Sequence, residues 1–137
     1  MTADILQTEN VTLYRGDTAI LQDLSLSVRQ NERVLIRGKS GAGKTTLFRV
    51  LGLLEPPTDG TVVVDGVDAT AAGERERARL RREKLGVVFQ DFQLVPDLTA
   101  WENARLPQEH ESGGAGRDWM ETVFEQLEIT ELADRYP

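Results

Sequence analysis

Apolar and polar residues alternate over two stretches near the N-terminus, residues 5–14 and 18–28, most clearly at Ala19 and Leu21 and then at Leu24, Leu26 and Val28. A two-residue period sets one face of a strand against a core. The turn-forming Arg15-Gly16-Asp17 between the two stretches predicts an antiparallel pair. Asn31-Glu32 is a second turn, and Val34, Leu35 and Ile36 predict a short strand over residues 33–37. From Lys44 the spacing changes. Leu47, Val50, Leu51 and Leu54 recur at helical intervals, predicting a helix over residues 44–54 that Pro56-Pro57 ends.

Residues 61–65 form a β-branched strand running into Asp65-Gly66, a hairpin dipeptide. Glu74–Lys84 is a charged helix with acids first and bases last, the order its dipole favours; Glu74 with Arg77 and Glu76 with Arg79 predict a solvated, paired face. The continuous apolar run 85–89 predicts a buried strand. A loop through Pro96 leads to a short helix opening near Thr99. Residues 107–116 are acidic and glycine-rich and predict a mobile connection. Asp118 is expected to cap a helix whose Met120, Val123, Phe124 and Leu127 make one apolar stripe. Strands alternating with helices behind an antiparallel front predict an α/β fold.

Composition narrows the function. With 137 residues the chain has room for one compact domain, and 39% hydrophobic residues suffice for a core. It has no cysteine, which excludes thiol nucleophiles and cysteine zinc sites and fits a reducing compartment. A single histidine, His110, leaves no histidine triad and no multi-histidine metal site. Apolar stretches fall short of the ~18 residues a membrane span needs, and Met1-Thr2-Ala3-Asp4 carries no secretion signal. A net charge of −7 argues against nucleic acid as partner, since phosphate contacts need surplus cations. Only Lys39, Lys44 and Lys84 are lysines among 16 basic residues; either salt adaptation or a codon preference for arginine accounts for that. A soluble, cytoplasmic protein is expected.

The decisive segment is Gly38-Lys39-Ser40-Gly41-Ala42-Gly43-Lys44-Thr45, which matches G-x-x-x-x-G-K-[S/T] between a predicted strand and a predicted helix. Glycines let the backbone turn so that successive N–H groups point into one hollow sized for phosphate oxygens. The helix that follows adds its positive dipole end. Lys44 bridges terminal phosphates as a point charge, and the Thr45 hydroxyl completes a magnesium shell. Tyr14, on the first strand, either stacks on a flat base or is ordinary strand packing. Gln90, at the end of the 85–89 run, either orients a water and contacts magnesium or is a solvated loop residue.

Taken in order, Tyr14, the loop from Gly38 to Thr45, the Asp65-Gly66 hairpin and Gln90 resemble the ATP-binding subunit of ABC transporters. The stretch Lys84-Leu85-Gly86-Val87-Val88-Phe89-Gln90, with Leu94-Val95-Pro96-Asp97-Leu98-Thr99-Ala100 and Glu102-Asn103, is similar to the lipoprotein-releasing and macrolide-export branch. The resemblance implies a P-loop NTPase core of the ABC ATPase type with an antiparallel β subdomain and the start of a helical subdomain. The first two fall over residues 1–90 and the Q-loop and helical start over 91–137. It implies ATP and Mg2+ as cofactors, with nucleotide held by Tyr14, Gly38, Lys39, Ser40, Gly41, Ala42, Gly43, Lys44, Thr45 and Thr46. Metal falls to Thr45 and Gln90, and the catalytic roles in this chain to Lys44 and Gln90. It further implies a head-to-tail pair of such domains on the inner face of a membrane, driving transmembrane subunits that dock near the Q-loop. Phe92, Leu94 and Trp101 either form that docking surface or pack a small helical lobe.

Two look-alikes are set aside. Asp65 follows an apolar strand as a magnesium-binding aspartate does, but it sits in an Asp-Gly turn. Ser112-Gly113-Gly114 resembles the core of the family's L-S-G-G-Q signature but follows Glu111 and precedes Ala115. The resemblance places the signature, the catalytic carboxylate and the switch histidine after position 137, so hydrolysis is expected of the complete domain. A nucleotide-binding module without turnover and another P-loop enzyme such as a kinase are the competing readings.

Overall fold

The computed structural model describes residues 4–106 and 117–137. The chain forms two compact units, one ending at Val87 and one beginning at Val88. In the first, β1 (Asp4–Arg15) and β2 (Thr18–Arg29) pair antiparallel, with Leu13 opposite Leu21 and Arg15 opposite Thr18, as the alternation predicts. β3 (Asp59–Val64) pairs antiparallel with the other edge of β1, and the two-residue β4 (Val67–Asp68) follows it, giving the order β2-β1-β3-β4. Asp65 and Gly66 both have positive φ, 48° and 77°. That is the backbone of a type I′ hairpin turn, whose twist matches its strands. Asp65 is thus a turn residue, and its carboxylate pairs with Lys84 at 2.7 Å.

The alternation buries Val11, Leu13, Leu21, Val62 and Val64 together, and helix α1 (Lys44–Leu51) adds Leu47 and Val50 to the same cluster. Helix α2 (Glu74–Lys84) contributes Leu80. Both predicted pairs along α2 form, Glu74 with Arg77 at 2.7 Å and Glu76 with Arg79. Arg81 also reaches Glu74, and these two guanidinium groups hold the Glu74 carboxyl below the usual carboxylate range.

Helix α1 stops earlier than its periodicity predicts. It ends at Leu51, before Pro56-Pro57, because the Leu54 N–H donates to the Arg49 carbonyl (2.8 Å) and the Leu53 N–H to that of Val50 (3.0 Å). This is a Schellman ending, which needs a left-handed residue between the last turn and the exit. Leu53 takes that place with φ 55°, although glycine is the usual occupant. It is held there because its side chain belongs to the buried core and its carbonyl accepts from Arg81 Nη1 at 2.6 Å.

Two predicted strands do not form. Residues 33–37 and 85–89 carry no strand pairing, and Leu35 is 72% and Val88 90% exposed. An apolar run becomes a strand only by hydrogen bonding to a neighbour, and among the described residues no segment pairs with either. The second of these runs is therefore not buried here.

In the second unit, helix α3 (Ala100–Arg105) opens at Thr99, as predicted, with a full capping box. Thr99 Oγ1 accepts from the Glu102 N–H, and the Glu102 carboxylate accepts from the Thr99 N–H at 2.8 Å. The next free helix N–H groups, of Ala100 and Trp101, donate to the carbonyls of Arg135 and Ala133. Helix α4 (Arg117–Gln126) buries Met120 and Phe124, and the Phe124 ring lies 5.2 Å from that of Trp101. Leu127 is exposed beyond the helix end, so the apolar stripe is shorter than predicted. Asp118 is inside the first turn and not its cap, and its carbonyl accepts from Thr122 Oγ1. A 3-10 turn over Thr130–Leu132 follows. The predicted mobile connection over 107–116, with His110 and Ser112-Gly113-Gly114, lies outside the described residues.

Leu53 combines a backbone strain with a buried side chain, so two substitutions separate the terms. In urea unfolding of the full chain, Leu53→Ala is expected to cost about 2–4 kcal/mol. Leu53→Gly is expected to be no worse than Leu53→Ala despite the smaller side chain, because glycine is unstrained at this φ. A Leu53→Gly variant clearly less stable than Leu53→Ala contradicts the assignment. The capping box carries a pH signature. Hydrogen bonds from the Thr99 N–H and then its hydroxyl hold the Glu102 carboxyl below its ordinary range. Its contribution is present at neutral pH and is lost as pH falls through the lowered folded value. Amide exchange at the start of α3 is expected to quicken there, and Glu102→Gln to remove that dependence.

Candidate functional site

The chain leaves β2 through a turn in which the Glu32 N–H donates to the Arg29 carbonyl, crosses residues 33–37 and enters the glycine-rich loop. Inside the loop the Ala42 N–H donates to the Lys39 carbonyl at 3.1 Å, closing a tight turn. Gly43 then adopts φ 90° as the N-terminal neighbour of α1. A Cβ at Gly43 would lie 2.9 Å from the Ile20 carbonyl and 3.2 Å from Leu21 Cδ2. Only glycine lets the loop press this closely on β2. The start of α1 is thereby fixed against the hairpin.

That contact creates a hollow of ≈ 580 Å³ with walls from two places. Ser40, Gly41, Gly43, Lys44, Thr45 and Thr46 form one wall, and Arg15 and Ile20 of the hairpin form the other. Helix α1 has no side-chain cap and no acid in its first turn. Its first N–H groups therefore face the hollow end of the helix without a side-chain acceptor, carrying the positive end of the helix dipole. Lys44 Nζ donates to the Gly38 and Lys39 carbonyls at 2.6 and 2.7 Å. The lysine is thus tied to neutral oxygens, and its charge is not cancelled by a carboxylate.

The predicted site residues divide accordingly. Six line the hollow; Gly38 and Lys39 hold the lysine, and Ala42 shapes the turn. Tyr14 is half exposed near the end of β1, its N–H donating to Thr58 Oγ1, and it is not part of the lining. Gln90 is exposed and belongs to the second unit. Among the described residues no group of three or more His, Asp or Glu is arranged to hold a metal ion. A magnesium here would be held by few protein atoms, with phosphate oxygens and waters completing its shell, since this ion gives up its waters reluctantly.

Arg15 was not legible as a site residue. In sequence it belongs to a turn cluster; in the structure it walls the hollow while pairing with Glu55 at 2.6 Å. Asn103 is the second such residue. Its Oδ1 accepts from the Val95 N–H (2.8 Å), and its Nδ2 reaches the carbonyls of Val95, Leu98 and Thr99 at 3.1, 2.9 and 3.0 Å. One side chain thereby pins the loop that presents Phe92 and Leu94 to solvent. Trp101, by contrast, packs on Phe124 inside its unit. No helix among the described residues is long and apolar enough to cross a membrane.

Comparison with known proteins places this geometry. The ABC transporter family profile matches residues 21–137. The lipoprotein-releasing system ATP-binding protein LolD of Aquifex aeolicus is 46% identical over 105 residues, 77% of this chain and 47% of its own length. The uncharacterized ABC transporter ATP-binding protein MJ0796 of Methanocaldococcus jannaschii is 37% identical, covering 96% of this chain and 59% of its own. The methionine import ATP-binding protein MetN of Photobacterium profundum is 38% identical over 93% of this chain and 38% of its own. The chain thus spans about half the length of these relatives. Among solved structures, dimeric MJ0796 in a post-hydrolysis state bound to ADP and Pi superposes with a TM-score of 0.82 at 32% identity, over 96% of this chain and 61% of that one. The chain belongs to the ABC transporter family, and its fold is that of a partial ABC-type ATPase cassette.

Proposed function

We propose that this chain binds ATP with Mg2+ in the hollow between the Gly38–Thr46 loop and the hairpin. In the complete protein, that binding and the hydrolysis of ATP power export of a substrate across a membrane. The observation that carries the reading is a lysine and an uncapped helix N-terminus facing one hollow whose lining holds no carboxylate. Backbone N–H groups from Gly41 to Thr46 would take the oxygens of the terminal phosphates, and Lys44 would exchange its loop carbonyls for them. The Thr45 hydroxyl would hold the metal at this hollow. Magnesium, when bound, neutralises phosphate charge and so favours phosphoryl transfer. Tyr14 would stack on the adenine from the end of β1.

Lipoprotein-releasing and macrolide-export relatives are among its matches, at 46% and 38% identity, beside a methionine importer at 38%, and the export reading follows the first two. ADP and Pi in the related cassette support a nucleotide ligand, and the dimeric state of that cassette supports pairing with a second copy. For the membrane partner we assign the loop that Asn103 pins, with Phe92 and Leu94 outermost. Exposed apolar side chains on an ordered loop suit docking to another protein. With such a partner the chain would work at the cytoplasmic face of the membrane.

Lys44→Ala is expected to weaken binding of magnesium-ATP by at least about tenfold in calorimetry, the loss of one charge-assisted contact. Unchanged affinity would remove the assignment of the loop. Tyr14→Ala is expected to weaken ATP by about tenfold while leaving inorganic tripolyphosphate unaffected, since stacking on a base contributes about 1–3 kcal/mol. An equal loss for both ligands places Tyr14 outside the base contact.

A further inference from the structure

We propose that Arg15 is a phosphate-contacting residue of this site, pairing with the phosphate nearest the sugar and held ready for it by Glu55. The inference rests on the reading of the hollow as an ATP site and adds a residue to it. Arg15 is the only charged residue on the hairpin wall of the hollow, facing the wall that carries Lys44. It sits at the end of β1, opposite Thr18 in the ladder, so its backbone is fixed.

Charge balance indicates which of its contacts is expendable. The Glu55 side chain is 14% exposed and accepts from two guanidinium groups, Arg15 Nη2 at 2.6 and 2.8 Å to its two oxygens and Arg49 Nε at 3.3 Å. Two cations thus share one anion. A largely covered carboxylate requires one counter-charge, and Arg49, anchored in α1, remains beside it to supply one when Arg15 turns away. Both guanidinium groups are about half exposed, 57% for Arg15 and 51% for Arg49, and Arg15 is the one that also lines the hollow. It can turn from Glu55 to an incoming phosphate without leaving the carboxylate unpaired. The guanidinium fork that fits a carboxylate fits a phosphate equally well.

Position selects the phosphate. The loop N–H groups and Lys44 gather at the α1 end of the hollow, where the distal pair of phosphates would lie. Arg15 enters from the hairpin wall, opposite the wall that carries Lys44, so it meets the ligand on the side of the distal phosphates that leads toward the sugar.

The test compares Arg15→Ala, Arg15→Lys, Glu55→Gln and Lys44→Ala in the full chain, with magnesium-ATP by calorimetry and inorganic pyrophosphate as competitor. Arg15→Ala is expected to weaken ATP by about fivefold, less at high salt, and to leave pyrophosphate unchanged. Arg15→Lys recovers part of the loss, and Glu55→Gln leaves ATP affinity equal or tighter because the guanidinium is released. Three outcomes overturn the inference while the site reading stands: ATP affinity lost in Lys44→Ala yet unmoved in Arg15→Ala, a loss in Glu55→Gln equal to that in Arg15→Ala, or equal losses for ATP and pyrophosphate. No binding of ATP by the unaltered chain overturns both.

Discussion

The first unit depends on one contact that tolerates no side chain. Gly43 lies so close to β2 that a Cβ there would stand 2.9 Å from the Ile20 carbonyl. Because the loop cannot lift away without losing that packing, the N-terminus of α1 and the end of the hairpin face one another across a fixed gap. Leu47 and Val50, one and two turns further on, bury themselves against Leu13 and Leu21 and hold the helix at the same place. The core and the hollow are therefore two sides of one arrangement, since the residues that pack α1 onto the sheet also aim its positive end.

Most of the local structure was legible in the sequence, and for local reasons. The hairpin follows from a two-residue period around a glycine turn, the I′ turn from Asp65-Gly66, α2 from its charge order, and α3 from a threonine with a glutamate three places on. Each of these signals lies within a few residues of its effect. The strands expected at 33–37 and 85–89 are different. A run such as Val34-Leu35-Ile36 states that the segment suits burial, while strand formation depends on a partner that local sequence does not specify. The early stop of α1 fails in the same way. No rule of propensity puts leucine in the left-handed position after a helix, and only the buried site waiting for its side chain explains Leu53.

The phosphate loop was legible because eight consecutive residues supply nearly everything it needs: the turn, the amides, the ammonium and the helix start. Arg15 and Asn103 were not: the first acts through a contact across the fold, the second through how the loop just before its helix folds back on it. Arg15 reaches Glu55 forty positions away, and only the pairing of β1 with β2 brings it to the hollow. Asn103 looks like one more polar residue on a short helix until its amide is seen spanning three carbonyls of the preceding loop. In both cases residue type was informative and position was not.

The electrostatics of the hollow run against those of the chain. A protein of net charge −7 should repel a polyphosphate, yet the lining of this hollow presents two cations and no carboxylate. Of the acids that could cancel them, Glu55 pairs with Arg15 but is shared with Arg49, and the first turn of α1 has none. Lys44 rests on two carbonyl oxygens, and a neutral acceptor keeps the ammonium in place without spending its charge. Exchanging a carbonyl for a phosphate oxygen gains a full Coulomb interaction, whereas exchanging a carboxylate for it would gain little. Arg15 differs from Lys44 in this respect, since its partner is a carboxylate, and only the second guanidinium on Glu55, that of Arg49, lets it leave without stranding a charge. The positive character of the hollow is thus a local property, set by the partners of its two cations: neutral carbonyls for Lys44 and a shared carboxylate for Arg15.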